Sequence, residues 1–160
     1  RAVSSEETSL PLSSEALEHD QTDLLTLVES VMRPYRNAYA DRIELCGEPT
    51  RLPRQHVTPI GLTMHELATN ALKYGALAHQ DGKVQIEWQV SRDTLVVEWI
   101  ERREEGASLL AQEPEIKGTG SGTRLIDGVI RGLGGSVDVR FEPEGLKAVI
   151  RVPTRSRKAN

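Results

Sequence analysis

The stretch HELATNALKYGAL, from His65 to Leu77, sets a histidine, a glutamate, an asparagine and a lysine among alanines and leucines. At the angular spacing of an α-helix, the side chains of Glu66, Asn70 and Lys73 fall within about 60° of one another, and His65 points elsewhere. A different arc of the same helix is apolar and is predicted to pack against a sheet; it comprises Ile60, Met64, Leu67, Ala68 and Ala71. The stretch therefore predicts a helix with one buried face and one polar stripe, formed by Glu66, Asn70 and Lys73.

The polar stripe has two interpretations from the residues alone. One is a solvent-exposed helix face with a Glu-to-Lys pair, which is common on surface helices. The other is a site for a metal-bound phosphate. In that site the Asn70 amide oxygen can ligate Mg²⁺, Lys73 can neutralise phosphate charge, and Glu66 can orient a reacting group or a metal-bound water.

Composition limits the class of protein. The 160 residues include 38% hydrophobic and 28% charged residues, with a formal net charge of -4, which is typical of a globular domain and makes nucleic acid an unexpected partner. Cys46 is the single cysteine and can form no intramolecular disulfide, so we expect a reducing, cytoplasmic location. No stretch has the roughly 20 apolar residues of a membrane span, so we expect no membrane contact from this chain.

The ends of the chain differ in composition from its middle. Residues 1–19 are Ser/Glu-rich and aperiodic, which is typical of a linker or boundary segment, and residues 154–160 form a polar tail. We therefore expect one domain over residues 20–153.

Hydrophobic periodicity predicts the elements of this domain. In chain order they are a helix from Thr22 to Tyr35 with Pro34 at its end, a strand over 41–48, a loop over 49–55, a helix from about Gln55 to Gly75, strands over 83–90 and 94–101, a charged lid candidate from Arg102 to Lys117, a third helix, and strands over 136–141 and 146–153. The strands form hairpins rather than alternating with helices. This order predicts an α/β fold, a two-layer α/β sandwich in which a mixed, mostly antiparallel sheet carries its helices on one face.

A glycine-rich stretch, GTGSG at residues 118–122, precedes the third helix. Glycines allow the backbone to approach an anion, and the first turn of a helix points its N–H groups at that anion, so the stretch is a candidate phosphate cradle. It is neither a P-loop, since the GK[ST] ending is absent, nor a dinucleotide fingerprint, since no simple βαβ unit surrounds it. Glycine-rich turns without a ligand are also frequent, and this alternative stays open.

An acidic residue ends the strand that precedes the lid candidate. Leu95, Val97, Trp99 and Glu101 share one side of that strand by its period of two. A carboxylate at this position can accept a hydrogen bond from an exocyclic amine such as that of adenine. The alternative is a solvated strand end.

Together these three motifs resemble the catalytic, ATP-binding domain of sensor histidine kinases, in the superfamily with the Bergerat-type fold that also holds gyrase, Hsp90 and MutL. More narrowly they are similar to the HWE family, named for a histidine in its N-box and a Trp-x-Glu motif. HELATNALKYGAL resembles the N-box, WIE at Trp99–Glu101 the second signature, and GSGTRLI at Gly120–Ile126 the glycine box. The resemblance runs from about residue 20 to residue 153, with the motifs in the family's order.

The resemblance implies roles for residues in each motif. Asn70 would ligate Mg²⁺, Lys73 would contact phosphate, and Glu66 would act as the catalytic residue that helps to position the γ-phosphate. Tyr74 would border the nucleotide, and Glu101 falls about where other histidine kinases have the aspartate that reads the adenine amine. The further ATP-binding residues that it implies are Gly106, Gly118, Thr119, Gly120, Ser121, Gly122, Thr123 and Arg124. The angle of His65 indicates a packing or orienting role, as for Trp99.

The resemblance also implies partners, namely a dimerisation domain whose helix carries the phosphoacceptor histidine, and a response regulator receiver domain that takes the phosphate. Two departures from the family stand out. The Gly-Gly-Pro run that usually follows Trp-x-Glu is absent, with only Gly106 nearby, and no histidine of this chain lies in an acceptor motif. Two alternatives therefore stay open: a docking module that has lost the nucleotide, and a gyrase- or MutL-type ATPase in which Glu66 activates water.

Overall fold

Three α-helices and seven strands form the part of the chain that the computed structural model describes, residues 21–104 and 121–155. They are, in chain order, β1 (Gln21–Asp23), α1 (Leu24–Ala38), β2 (Ile43–Gly47), β3 (Arg51–Pro53), α2 (Arg54–Lys73), β4 (Lys83–Ser91), β5 (Thr94–Arg102), α3 (Ser121–Gly132), β6 (Ser136–Glu142) and β7 (Gly145–Pro153). Short 3₁₀ turns at Ala40–Arg42 and Ala76–Ala78 precede β2 and β4.

The main sheet has the strand order β2-β4-β5-β7-β6. β2 runs parallel to β4, and every other neighbouring pair in this sheet is antiparallel. One face of the sheet packs against the three helices: Ile86 of β4, Trp99 of β5 and Ile150 of β7 share a core with residues of α1, α2 and α3. The predicted mixed sheet with helices on one face is therefore confirmed.

The predicted hairpin of β4 and β5 is confirmed, and in both strands alternate side chains face the helices. Arg92 and Asp93 form its turn with φ values of 48° and 60°, the left-handed pair that a tight hairpin turn requires. Alternate residues of β5 are buried up to the end of the strand. In β4 the burial stops at Trp88, and Val90, next to the turn, is exposed.

The first helix differs from its prediction at both ends. It begins at Leu24, where Asp23 caps it by accepting hydrogen bonds from the Thr26 N–H at 3.0 Å and the Thr26 hydroxyl at 2.9 Å. It also continues through Pro34 to Ala38, although proline lacks the N–H that continues a helix. The turn after the proline is closed by the hydrogen bond from the Tyr39 N–H to the Tyr35 carbonyl, at 2.9 Å.

Residues 49–55, predicted as a loop, contain β3 and the first residues of α2. β3 pairs with β1 in a separate two-stranded antiparallel sheet. Leu52 is buried there and belongs to the main core, so this three-residue strand is held by packing rather than by its own length. The sequence shows no strand periodicity over so few residues, which is why the prediction was wrong.

The predicted second helix is confirmed as α2, with all five predicted core residues buried. α1 packs across α2 at Gly61, whose missing side chain faces Leu27 and Val31. His56, in the first turn of α2, is also buried and its Nε2 contacts the Pro153 carbonyl at 2.7 Å. α2 is therefore held between α1, the sheet and the end of β7. In the described ranges no helix combines the length and apolar character that crossing a bilayer requires.

Replacing Gly61 with alanine should stabilise the domain. A Cβ at this position meets only the Leu27 Cδ1 and Val31 Cγ2 atoms, both at 3.8 Å, which is ordinary contact distance. Because alanine favours a helix interior over glycine, Gly61→Ala should raise the free energy of unfolding by about 0.5–1 kcal/mol in urea titrations. Gly47→Ala is the matched control and should lower it, because its Cβ would overlap the Trp88 indole. Destabilisation by Gly61→Ala would contradict the packing described for α1 and α2.

Candidate functional site

The polar stripe lies on the side of α2 that faces away from the core. Glu66 and Asn70 are half-buried and Lys73 is exposed, whereas the apolar arc of the same helix is buried. Within residues 21–104 and 121–155, the side chains of Glu66, Asn70 and Lys73 form no hydrogen bond or ion pair. The Glu-to-Lys pair of the alternative interpretation is therefore absent from the described residues.

The donors and acceptors of the stripe fit a metal-bound phosphate. Asn70 offers an amide oxygen, Lys73 a cation and Glu66 a carboxylate, and all three point away from the core without a partner in the described part of the chain. No group of three or more His, Cys, Asp or Glu side chains in that part could hold a metal by itself. Mg²⁺ is commonly held by few protein oxygens together with phosphate oxygens and water, so a single ligand such as Asn70 is compatible with this ion.

The chain leaves α2 directly after the stripe. Helical geometry ends at Lys73, and the N–H groups of Tyr74 and Gly75 donate to the Asn70 carbonyl at 2.8 and 3.1 Å. These bonds satisfy a carbonyl of the last turn and hold the turn next to the Asn70 side chain. The Tyr74 ring is 66% exposed, so this helix end presents an uncovered aromatic surface.

Glu101 lies beneath this turn rather than in solvent, so the alternative interpretation of a solvated strand end is wrong. Its side chain is only 4% exposed. Its Oε1 accepts a hydrogen bond from the Ala76 N–H at 2.9 Å, and its Oε2 accepts one from the Trp99 Nε1–H at 2.9 Å. A Cβ at Gly75 would overlap Oε1, so glycine is required for the turn to cover the carboxylate.

The surroundings of Glu101 act on its ionisation in opposite directions. Burial raises the pKa of the carboxyl above its usual value, and the hydrogen bonds from Ala76 and Trp99 oppose this by favouring the ionised form. Among the described residues it is the only buried carboxylate. Perturbed titration beside an unpaired polar stripe is typical of functional sites.

Arg42 also holds the segment after α2, and the sequence analysis missed it. Its guanidinium donates to the carbonyl oxygens of Ala76 at 3.2 Å, Gly82 at 2.7 Å and His79, and it stacks over the Tyr39 ring at 5.1 Å. Ala76 is thus bound through its N–H to Glu101 and through its carbonyl to Arg42. A lone arginine in a short 3₁₀ turn carries no local signal of such a role.

His65 joins two helices, which agrees with the orienting role predicted from its angle. Its Nδ1 lies 2.9 Å from the Tyr35 hydroxyl of α1, and the Thr69 hydroxyl donates to the His65 carbonyl at 2.9 Å. His65 therefore faces α1 rather than the polar stripe.

The predicted glycine box lies mostly outside the described residues. Gly106, Gly118, Thr119 and Gly120 belong to residues 105–120, which the structure does not describe. Ser121, Gly122 and Thr123 form the first turn of α3, so the helix includes the last part of the glycine-rich stretch, and Arg124 is exposed. α3 packs against α2.

Only the first residues of the lid candidate are described, and they belong to the sheet region. Arg102 ends β5, and the Arg103 N–H donates to the Glu144 carbonyl at 3.0 Å. The Arg103 guanidinium lies 3.4 Å from an Asp81 carboxylate oxygen. The remaining residues of the lid candidate lie outside the described ranges.

Curated relatives of this chain are named as histidine kinases, although no protein-family model matches it. The chain is 42% identical over 127 residues to blue-light-activated histidine kinase 1 of Erythrobacter litoralis. The matched region covers 79% of this chain and 34% of that protein. It is 29% identical over 133 residues to the blue-light-activated histidine kinase of Brucella anthropi, and this match covers 82% of this chain and 27% of that protein. The chain thus spans about a third or less of the length of these relatives.

Solved structures of histidine kinase domains share the fold. The catalytic domain of histidine kinase ThkA matches with a TM-score of 0.65 and 16% identity, over 84% of this chain and 95% of that one. The histidine kinase domain of a blue-light-activated histidine kinase from Erythrobacter litoralis matches with a TM-score of 0.59 and 20% identity, over 80% and 61%. These likenesses confirm the predicted fold class.

The pH dependence of stability should report the ionisation of Glu101. Its folded-state pKa lies above the unfolded value near 4.5, so the folded domain holds this proton more tightly. The resulting stabilisation is present below pH 4.5 and is lost as the pH rises through the folded-state pKa.

The pH-dependent contribution of Glu101 to stability is isolated by subtracting the free energy of unfolding of Glu101→Gln from that of the wild type at each pH. The difference should fall with rising pH. The amide should also cost about 1–3 kcal/mol at every pH, because its NH₂ group would face one of the two N–H donors. A difference that increases with pH would mean that the hydrogen bonds outweigh burial.

Proposed function

The chain belongs to the histidine kinase family, as a catalytic domain of the HWE type, and we propose on this premise that it binds ATP with Mg²⁺ and donates the γ-phosphate to a histidine of a separate helical domain. The observation that carries the proposal is the unpaired stripe of Glu66, Asn70 and Lys73 on α2. A carboxylate, an amide and an ammonium that lie together on one helix face, without a partner among the described residues, favour a charged ligand.

Asn70 and Lys73 are proposed to hold the phosphates. The Asn70 amide oxygen is the proposed protein ligand of Mg²⁺, and the Lys73 ammonium, on the exposed last turn of α2, is proposed to neutralise a phosphate oxygen. Mg²⁺, when bound, would neutralise phosphate charge and align the γ-phosphate for transfer. The hydrogen bonds that Tyr74 and Gly75 donate to the Asn70 carbonyl keep the backbone of this residue fixed.

Glu66 is the proposed catalytic residue. It lies one helical turn before Asn70 on the same side of α2, half-buried, and has no partner among the described residues. A carboxylate in this place can accept a proton or a hydrogen bond from a reacting group, and its position on a rigid helix limits its freedom.

The nucleoside is proposed to lie over the end of α2 and β5. Tyr74 offers an exposed ring there, and Glu101 a hydrogen-bond acceptor beneath the turn. The glycine box and the residues around it are proposed to complete the phosphate site: Gly106, Gly118, Thr119, Gly120, Ser121, Gly122, Thr123 and Arg124.

Two partners belong to the proposal. The first is a helical dimerisation domain of the same kinase that carries the acceptor histidine, since the chain spans about a third of the relative with which it shares 42% identity. The second is a response regulator whose receiver domain takes the phosphate from that histidine.

Replacing Asn70 with alanine should reduce the affinity for ATP in the presence of Mg²⁺ by about 10–100-fold, because an ion-binding amide is lost. Calorimetric titration of the 160-residue chain measures this change. Asn37→Ala is the matched control, since Asn37 is exposed on α1 and lies outside the proposed site. Equal affinities for the wild type and Asn70→Ala would overturn the metal-ligand assignment, and absence of ATP binding by the wild type would favour the docking module.

The reaction class is tested with γ-labelled ATP. The chain alone should neither label itself appreciably nor hydrolyse ATP steadily, whereas a protein that includes the acceptor domain should acquire an acid-labile label typical of phosphohistidine. Steady hydrolysis by the chain alone would favour the gyrase- or MutL-type ATPase, and an acid-stable label would indicate another kinase class.

A further inference from the structure

The carboxylate of Glu101 is held in one orientation by two donors. Trp99 lies two residues before it on the same side of β5, with its indole fully buried, and donates from Nε1 to Oε2. The Ala76 N–H binds the other oxygen from the turn after α2. Because one donor belongs to the sheet and the other to the turn, the carboxylate cannot rotate without breaking a buried hydrogen bond.

These two bonds leave part of the carboxylate free to accept. An ionised carboxylate has about four lone-pair positions on its two oxygens, and Trp99 and Ala76 occupy two of them. Burial limits competition from water for the others. The group is therefore an oriented acceptor directly beneath the helix end that carries Tyr74 and the polar stripe.

Such an acceptor distinguishes purine bases by their substituent at position 6. Adenine presents an amine donor there, whereas guanine presents a carbonyl oxygen, which would face the carboxylate as a second acceptor. A site with a buried, fixed polar group discriminates strongly against a ligand that cannot pair with it.

We propose that Trp99 is a positioning residue for base specificity: its indole N–H orients Glu101 so that the carboxylate accepts from the 6-amino group of adenine and opposes the 6-oxo group of guanine. This proposal rests on the proposed function, since it needs a purine nucleotide in the site. It assigns the tryptophan of the WIE stretch a role in selecting the substrate.

The titration of Glu101 is compatible with this role. Burial raises the pKa of its carboxyl, and every N–H donor that contacts the carboxylate favours the ionised form. The amine of adenine would be a further donor of this kind, whereas a carbonyl oxygen would disfavour the ionised form.

The chain contains a matched control for Trp99. Trp88 is the other tryptophan, is 5% exposed, and donates from Nε1 to the Glu48 carbonyl at 2.9 Å. Trp99→Phe and Trp88→Phe therefore remove the same indole N–H from a buried position, and only the first removes a donor from Glu101.

The test compares the affinities of the full 160-residue chain and of both variants for ATP, GTP and purine riboside triphosphate, which lacks the amine, with Mg²⁺ present. The wild type and Trp88→Phe should bind ATP about tenfold or more tightly than the analogue. In Trp99→Phe this ratio should fall to about threefold or less, and the preference over GTP should fall with it. A purely structural role of Trp99 would lower all affinities together and leave the ratios unchanged, which would overturn the proposal.

A measurement on the wild type keeps the proposal testable if Trp99→Phe does not fold. The two indole N–H groups give two NMR signals, and ATP should shift the Trp99 signal more than the amine-free analogue does, with Trp88 as the internal reference. Equal shifts of the Trp99 signal with both ligands would overturn the proposal. Wild-type protein that binds ATP and its analogue equally well would overturn it too, without affecting the proposed function, whereas wild-type protein that binds no nucleotide would overturn both.

Discussion

The buried carboxylate of Glu101 connects the sheet to the segment that follows α2. It is bound by Trp99 from its own strand and by Ala76 from the turn, and the turn can cover it only because Gly75 has no side chain. The energetic reason is the cost of an unpaired buried charge, which forces the surrounding chain to supply donors. The turn that follows the helix end with the proposed site is therefore bound to the sheet through this carboxylate.

Arg42 completes the same arrangement from the opposite side. Its guanidinium donates to carbonyl oxygens of the segment, and the Glu101 carboxylate accepts from the Ala76 N–H of the same segment. The backbone of the segment is therefore bound by one cationic and one anionic side chain. Segments next to binding sites are commonly mobile, and here the backbone from Ala76 to Gly82 is bound at several points. These hydrogen bonds are consistent with the proposed site, in which fixed polar groups would select the ligand.

The site residues on α2 follow from a division of that helix into faces. Its apolar arc is buried against the sheet, His65 is bound to Tyr35 of α1, and the remaining stripe is left without partners among the described residues. Local periodicity was sufficient to predict this division, because the direction of each side chain depends only on its place in a regular helix.

Other features could not be predicted from local pattern. The three-residue strand β3 exists because Leu52 enters a core made elsewhere, and α1 passes Pro34 because its following turn is held by further contacts. The burial of Glu101 depends on Ala76, which is 25 residues away in sequence. Arg42 likewise binds carbonyl oxygens that are up to 40 residues away. Thus the sequence by itself determined the helices, the strand pattern, the side of each that faces the core and the stripe of Glu66, Asn70 and Lys73, since these are periodic and local. Only the tertiary structure decided that a strand-end acid is a buried, oriented acceptor, because its environment is built from residues that only folding brings together.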